Sequence, residues 1–319
     1  MSDRFITVLC LVASSFILHP SSFAQRLPAF EDFRRADRER RVTGQFQTAE
    51  SMRLMRVDPK LLARVAAENR DDPELLFGLA ELRGGWPAAL EANGSNVVVA
   101  LRFACVRAAK RDYDTALHWF RYCQIHDSNN LVPWLGELWV LRRQGKPLDA
   151  FRPPRSATEY RDCAVPAARA RVRVLEKAGY TPYAARRIAL MQNTFVESMA
   201  QDLSRAPITP QTTSFLLNAA RAMQRRPTFL LTELVGQTLE RHVLETMSHA
   251  SEEEIVKQLD ELDDRREELK RLVSNTERNT VDLATESEMV QYYDDVLAIG
   301  EEAAMRRLAA AVRGQPVGP

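Results

Sequence analysis

The best candidates for metal ligands in this sequence lie on one stretch of predicted helix. Glu245 and His249 follow His242 by three and seven residues, so a helix would place all three side chains on one face. Zinc prefers ligands on adjacent turns and usually takes a further cysteine or histidine. A solvated helix face accounts for the same residues more simply, so we predict neither a bound metal nor a cofactor.

A nucleophilic thiol is the second kind of chemistry that the residue types allow. Cys163 directly follows the Tyr-Arg-Asp segment of residues 160–162, but no histidine lies nearby in the sequence to act as its base. Cys105 and Cys123 have the character of small buried hydrophobic residues, because no Cys-x-x-Cys pair occurs that would indicate redox chemistry.

The other polar residues also lack the spacing of a catalytic or binding motif. His118 and His126 are expected at the surface and near a helix end, and not as a base or a metal ligand. Zinc-protease, hydrolase, dinucleotide-binding and phosphate-loop motifs do not occur. A net charge of +1 argues against a nucleic-acid partner. We therefore predict no catalytic residue.

Residues 1–24 have the pattern of a secretory signal. An apolar run from Phe5 to Leu18 follows Arg4, and Ser22-Phe23-Ala24 forms a small-residue cleavage site. Cleavage after Ala24 would make the protein periplasmic or secreted, and an uncleaved anchor helix is the alternative. No later stretch is long and apolar enough to suggest a membrane span. Three of the four cysteines would remain, and the sequence leaves their pairing open.

The rest of the chain has the pattern of successive helices. Turn residues separate segments of helical length, and no stretch alternates in the manner of a half-buried strand. We predict an all-α protein, an antiparallel helix-hairpin array that continues into a helical bundle. One helix is predicted from Tyr183 to Leu203 and a last one from Glu286 to Val312. From residue 251, apolar 4-3 spacing predicts an amphipathic helix packed on the array, with a short coiled coil as the alternative.

Small and aromatic residues between Val97 and Asn130 are placed so that two helices can pack closely. The residues with this character are Phe103, Ala104, Ala116, Phe120 and Cys123. The pattern resembles a tetratricopeptide repeat, and a second repeat with Trp134 and Ala150 in signature positions starts in register at Leu131. With a degenerate upstream repeat, the resemblance covers residues 73–151. An unrelated helical hairpin with the same packing chemistry is the alternative.

The resemblance implies a concave groove lined by the first helix of each repeat. Carried over to this sequence, the lining consists of Val98, Leu101, Cys105 and Ala108, then Val132, Leu135, Trp139 and Arg142. This lining is apolar with one cation, so the resemblance implies a non-catalytic scaffold that binds an apolar segment of a protein or peptide partner. Two alternatives remain: the chain's own later helices fill the groove, or an envelope enzyme assembles a site from scattered helical residues.

The sequence also suggests a division into successive segments. These are a polar, Arg-rich arm (25–60), the repeat-like helices (61–155), further helical hairpins (156–250) and a charged C-terminal hairpin (251–313). Charge is segregated, with 17 basic and 8 acidic residues in 100–190 but 6 basic and 17 acidic residues in 251–302. The basic part could attract an acidic partner, and the C-terminal helices could equally fold back onto it.

Overall fold

A computed structural model of the chain describes residues 27–43, 48–148, 151–153, 156–190, 195–225, 227–247, 252–280 and 282–314. The predicted signal sequence and its cleavage site lie outside these residues. Within them there is no strand, only an isolated parallel bridge between Asn130 and Glu159. The predicted all-α class is therefore confirmed.

The helices of the described residues follow one another in short succession. They are α1 (Phe30–Thr43), α2 (Ala49–Leu54), α3 (Pro59–Glu68), α4 (Pro73–Arg83), α5 (Trp86–Asn93), α6 (Val97–Ala109), α7 (Tyr113–His126), α8 (Val132–Arg143), α9 (Ala164–Lys177), α10 (Pro182–Leu190), α11 (Phe195–Leu203), α12 (Pro210–Arg225), α13 (Leu230–Thr246), α14 (Glu252–Asn279), α15 (Glu286–Ile299) and α16 (Glu301–Val312). None of the helices described here combines the length and the apolar character needed to cross a bilayer.

The chain divides into two compact units, and neither is contiguous in sequence. The first unit comprises residues 1–92, 167–193 and 284–293, and the second comprises residues 93–166, 194–283 and 294–319. The sequence suggested successive segments instead, because contacts between helices that are far apart along the chain leave no local signal.

In the first unit, α1, which lies in the Arg-rich segment 25–60, packs against residues of α10. Phe30 and Phe33 are buried, and their rings meet the edge of Tyr183 at centroid distances of 4.7 and 5.6 Å. Arg187 lies over the Phe33 ring and pairs with Asp37 at 2.6 Å. Aromatic and ionic contacts anchor this helix.

The first unit also contains an ion pair that is removed from solvent. Arg171 on α9 pairs with Glu81 on α4 at 2.7 Å, and the two side chains are 2% and 0% exposed. The same guanidinium donates two hydrogen bonds to the carbonyl of Ala189. These additional bonds help to offset the cost of burying two charges, as a buried pair requires.

The second unit contains the predicted helical hairpin. Asn96 caps α6 and Asp112 caps α7, since each side chain accepts a hydrogen bond from a backbone N–H of the following turn. Ala104, Ala116, Phe120 and Cys123 are fully buried between the helices, as their spacing predicted. Phe103 differs, because it is only half buried and packs against Trp119.

The repeat pattern does not continue as a second complete hairpin. The first helix, α8, is present and ends at the predicted turn, where Gly145 adopts a φ of 64°. Among the described residues between 144 and 163 there is no further helix, and Ala150 lies outside them. The prolines at 153 and 154 are incompatible with a helix interior. The tetratricopeptide interpretation thus remains a prediction.

Of the two long helices predicted from the sequence, one is described only in part and the other contains a break. Within Tyr183–Leu203 the structure describes α10 and α11, and residues 191–194 lie outside the described residues. The predicted helix Glu286–Val312 is broken at Gly300, where φ is 93°. The backbone N–H of the next residue, Glu301, donates a hydrogen bond to the Thr228 carbonyl at 2.8 Å. The break follows from this tertiary contact, which a local pattern cannot reveal.

The C-terminal helices of the second unit pack on α13. Arg265 on α14 pairs with Glu233 on α13 at 2.7 Å and with Glu302 on α16 at 2.6 Å. Leu269, one of the apolar residues of α14, is buried. These contacts favour the amphipathic helix packed within the fold over the coiled-coil alternative.

Candidate functional site

The residues predicted to line the groove lie inside the second unit. Leu101, Cys105, Val132 and Leu135 are at most 1% exposed, and Val98 is half buried. They belong to one hydrophobic core that also includes residues of α11 and α12. The structure therefore brings the predicted lining together but does not leave it open to a partner.

Helix α11 occupies the position that a partner segment would take on α8. Trp139, 6% exposed, donates a hydrogen bond from Nε1 to Asp202 Oδ2 at 2.9 Å. Phe195, at the start of α11, meets the same indole edge-to-face at 5.1 Å. Arg143 pairs with Asp202 and lies over the Trp139 ring at 5.2 Å. Of the two readings of the groove, filling by the chain itself is the one that the contacts support.

Most of the body of α11 is buried as well. Val196, Met199, Ala200 and Leu203 are at most 1% exposed. Arg142, the single cation of the predicted lining, donates to the Pro207 carbonyl just beyond α11, and burial lowers its pKa. Binding of a partner by the predicted lining remains a prediction, and it would require α11 to leave its place.

An aromatic surface lies on the other side of the hairpin. Phe103 and Trp119 are in edge-to-face contact at 5.7 Å, Trp119 and Tyr122 follow at 5.4 Å, and Tyr122 stacks on His126 at 4.0 Å. Ile125, one turn from Tyr122, is 78% exposed. We call Phe103, Trp119, Tyr122, Ile125 and His126 the outer aromatic face.

Two arginines and a histidine lie on or beside the outer aromatic face. Arg107 lies over the Phe103 ring at 5.8 Å while it pairs with Asp112. Arg121 pairs with Glu137 at 2.9 Å and remains more than half exposed. His118 is exposed and packs against Trp119. Phe103, Trp119 and Tyr122 are half buried, and Trp119 and Tyr122 also pack against the hydrophobic core. The surface therefore offers the exposed parts of these rings beside two arginines that are paired with carboxylates.

The outer aromatic face was not identified from the sequence. Trp119, Tyr122 and His126 are spaced by three and four residues, which places them on one side of α7. That spacing was a usable signal, but the repeat resemblance directed attention to the opposite side of the hairpin.

A buried carboxylate lies where α11 meets α13, near the half-buried residues Asp162 and Tyr160. Glu197 on α11 is 3% exposed, and its Oε1 accepts a hydrogen bond from Thr232 on α13 at 2.8 Å. Burial, with repulsion from the Asp162 carboxylate, raises the pKa of Glu197 to about 7. Burial also raises the pKa values of Asp162 and Tyr160.

The cysteines have the buried positions expected of small core residues. Cys105, Cys123 and Cys163 are free and fully buried. Contact with the Cys105 thiol and burial raise the pKa of Cys163 well above its ordinary value, and burial raises that of Cys123 to about 12. High thiol pKa values are the opposite of what an activated nucleophile requires.

The histidines considered as metal ligands do not form a site in the described residues. His242 is held by a contact of 2.9 Å between Nε2 and the Ala206 carbonyl, Glu245 is exposed, and His249 lies outside the described part of the chain. Among the residues that the structure describes, no group of three potential ligands is close enough to hold a metal ion.

Comparison with other proteins does not add a relative. No protein-family model, no curated protein and no solved structure matches this chain.

Proposed function

We propose that this protein is a non-catalytic protein-interaction module that binds its partner through the outer aromatic face. The observation that supports this proposal is the continuous set of ring contacts from Phe103 to His126, with Ile125 exposed beside it. Aromatic side chains supply large, rigid contact areas and are enriched among the residues that dominate interface energies.

The second part of the proposal concerns the chemistry of the partner. The Arg107 guanidinium lies over the Phe103 ring, Arg121 precedes Tyr122 on α7, and residues 100–190 carry an excess of basic side chains. A segment with apolar anchors and acidic flanking residues would complement both features. The proposed partner is thus still an apolar protein segment, as expected from the sequence. The proposed binding surface is the outside of α7 and not the groove.

Photo-crosslinking from two positions tests the proposal. We would place a photoreactive phenylalanine analogue at Ile125 and, as a matched control, at Val256, which is 50% exposed on α14. The expected result is a specific crosslinked protein from position 125 only, and its loss when Arg121 is changed to Glu in the same chain. Equal products from both positions, or products from position 256 alone, would contradict the proposed surface.

Compartment forms a further part of the proposal. The predicted signal sequence implies that the protein meets its partner in the periplasm or outside the cell. Mass spectrometry of the protein from its native host should give a mature chain beginning at Gln25. Protein in the soluble fraction that retains Met1 would contradict export.

An enzyme remains the alternative, and Glu197 is where its chemistry would be sought. Glu197, Asp162 and Tyr160 are titratable groups with raised pKa values, as in many active sites. Glu197 is only 3% exposed, however, so a substrate could not reach its carboxylate in this conformation. We therefore favour the interaction module.

A further inference from the structure

The carboxylate of Glu197 is buried with only one of its oxygens satisfied by a neighbour. Oε1 accepts a hydrogen bond from the Thr232 hydroxyl at 2.8 Å. Oε2 is buried and accepts no hydrogen bond from another residue that the structure describes. A buried ionised carboxylate is costly unless it is paired and fully hydrogen-bonded, so this environment favours the neutral acid.

The charged and titratable groups around Glu197 reinforce this preference. The segment before α9 contributes Asp162 and Tyr160. The Asp162 carboxylate repels a charge on Glu197. Burial, and then the Glu197 charge, raise the pKa of the Tyr160 hydroxyl. From α6, Arg102 provides a weaker attraction. From α13, the neighbour is the uncharged Thr232, and Glu233 of the same helix pairs with Arg265 instead.

The charged groups of α8 act at the other end of α11. Arg143 pairs there with Asp202, five residues after Glu197, and the Trp139 indole donates to the same carboxylate. These contacts hold the C-terminal end of α11 against α8. The N-terminal half is held by the burial of Val196 and Glu197 and by the ring contact between the half-buried Phe195 and Trp139. A charge on Glu197 therefore acts at the end of α11 that has no ion pair with α8.

We propose that Glu197 is a proton-controlled latch for α11: the neutral acid keeps the helix buried between α8 and α13, and the ionised form favours its release. The proposal is independent of the outer aromatic face. It assigns a conformational role to α11, since its release would uncover Trp139 and the apolar lining predicted from the sequence.

The direction of the pH effect follows from proton linkage. The folded pKa of Glu197 is raised from 4.5 to about 7, so between these values the closed form binds a proton that an opened form lacks. Closure is therefore most favourable at and below about pH 4.5 and weakens as the pH rises to 7. With an ordinary pKa in the open form, the opening constant should rise about 50- to 100-fold between pH 5 and pH 8.

Hydrogen exchange of α11 in the full chain measures this opening. Protection factors, corrected for intrinsic exchange at each pH, would be compared for the wild type, Glu197→Gln and Glu233→Gln. Glu233 is a matched control because its carboxylate is equally buried but neutralised by Arg265. We expect the opening of α11 to depend on pH in the wild type and in Glu233→Gln, and to lose this dependence in Glu197→Gln. At pH 8, α11 should be best protected in Glu197→Gln.

Several results would overturn the latch. A wild-type opening constant that changes less than about threefold between pH 5 and pH 8 would remove the effect itself. If the opening constant of Glu197→Gln kept the full pH dependence, another titratable group would be its cause. A Glu197→Gln protein that is less protected than the wild type at pH 8, or does not fold there, would show that the ionised carboxylate stabilises α11.

Discussion

The contact between Trp139 and Asp202 decides whether the predicted groove is filled by α11, and its strength can be measured. The indole N–H donates to a carboxylate at 2.9 Å, and a hydrogen bond to a charged group contributes about 1.5–3 kcal/mol. Asp202 is about one-third exposed and also pairs with Arg143, so solvent and the second partner reduce this figure. We expect a coupling free energy of about 1–2 kcal/mol between Trp139 and Asp202.

A double-mutant cycle of Trp139→Phe and Asp202→Ala isolates that coupling from the effects of lost volume. The free energy of unfolding would be measured by urea titration for the wild type, both single variants and the double variant. Trp134→Phe provides a matched control, because the indole N–H of Trp134 is buried and donates to no described residue. Coupling below about 0.5 kcal/mol for Trp139, or equal coupling for Trp134, would refute the contact and favour an open groove.

Three further substitutions test the packing within each unit, with thermal unfolding as the measurement. Arg171→Met should lower the free energy of unfolding by about 3–5 kcal/mol, because Glu81 then stays buried without this cation. Adding Glu81→Leu should restore much of that stability, and a double variant as unstable as the single one would contradict this. Gly136→Ala should cost about 1–3 kcal/mol, since the added methyl group would overlap the Phe120 ring, and unchanged stability would refute the close approach of α7 and α8. Gly300→Ala should cost at least about 1 kcal/mol, because φ is 93° and the new carbon would lie 3.0 Å from a backbone carbonyl; an unaffected variant would imply a continuous helix.

The elements that could be predicted from the sequence are those whose causes are local. The hairpin of α6 and α7 follows from its caps at Asn96 and Asp112 and from the small residues Ala104 and Ala116, all of which act within a few residues of the chain. The all-α class follows in the same way from apolar spacing and turn residues. In these places the tertiary structure adds contacts to elements that the sequence already specifies.

Only the tertiary structure decided which surfaces are buried and which remain free. The apolar side of α8 has the same composition whether a partner or α11 covers it, so Trp139 could not be assigned until Asp202 and Phe195 were located beside it. The break at Gly300 and the anchoring of α1 by Tyr183 and Arg187 likewise depend on residues far away along the chain. The raised pKa of Glu197 has the same origin: its acidity is set by burial and by Asp162, and neither is encoded within its own helix.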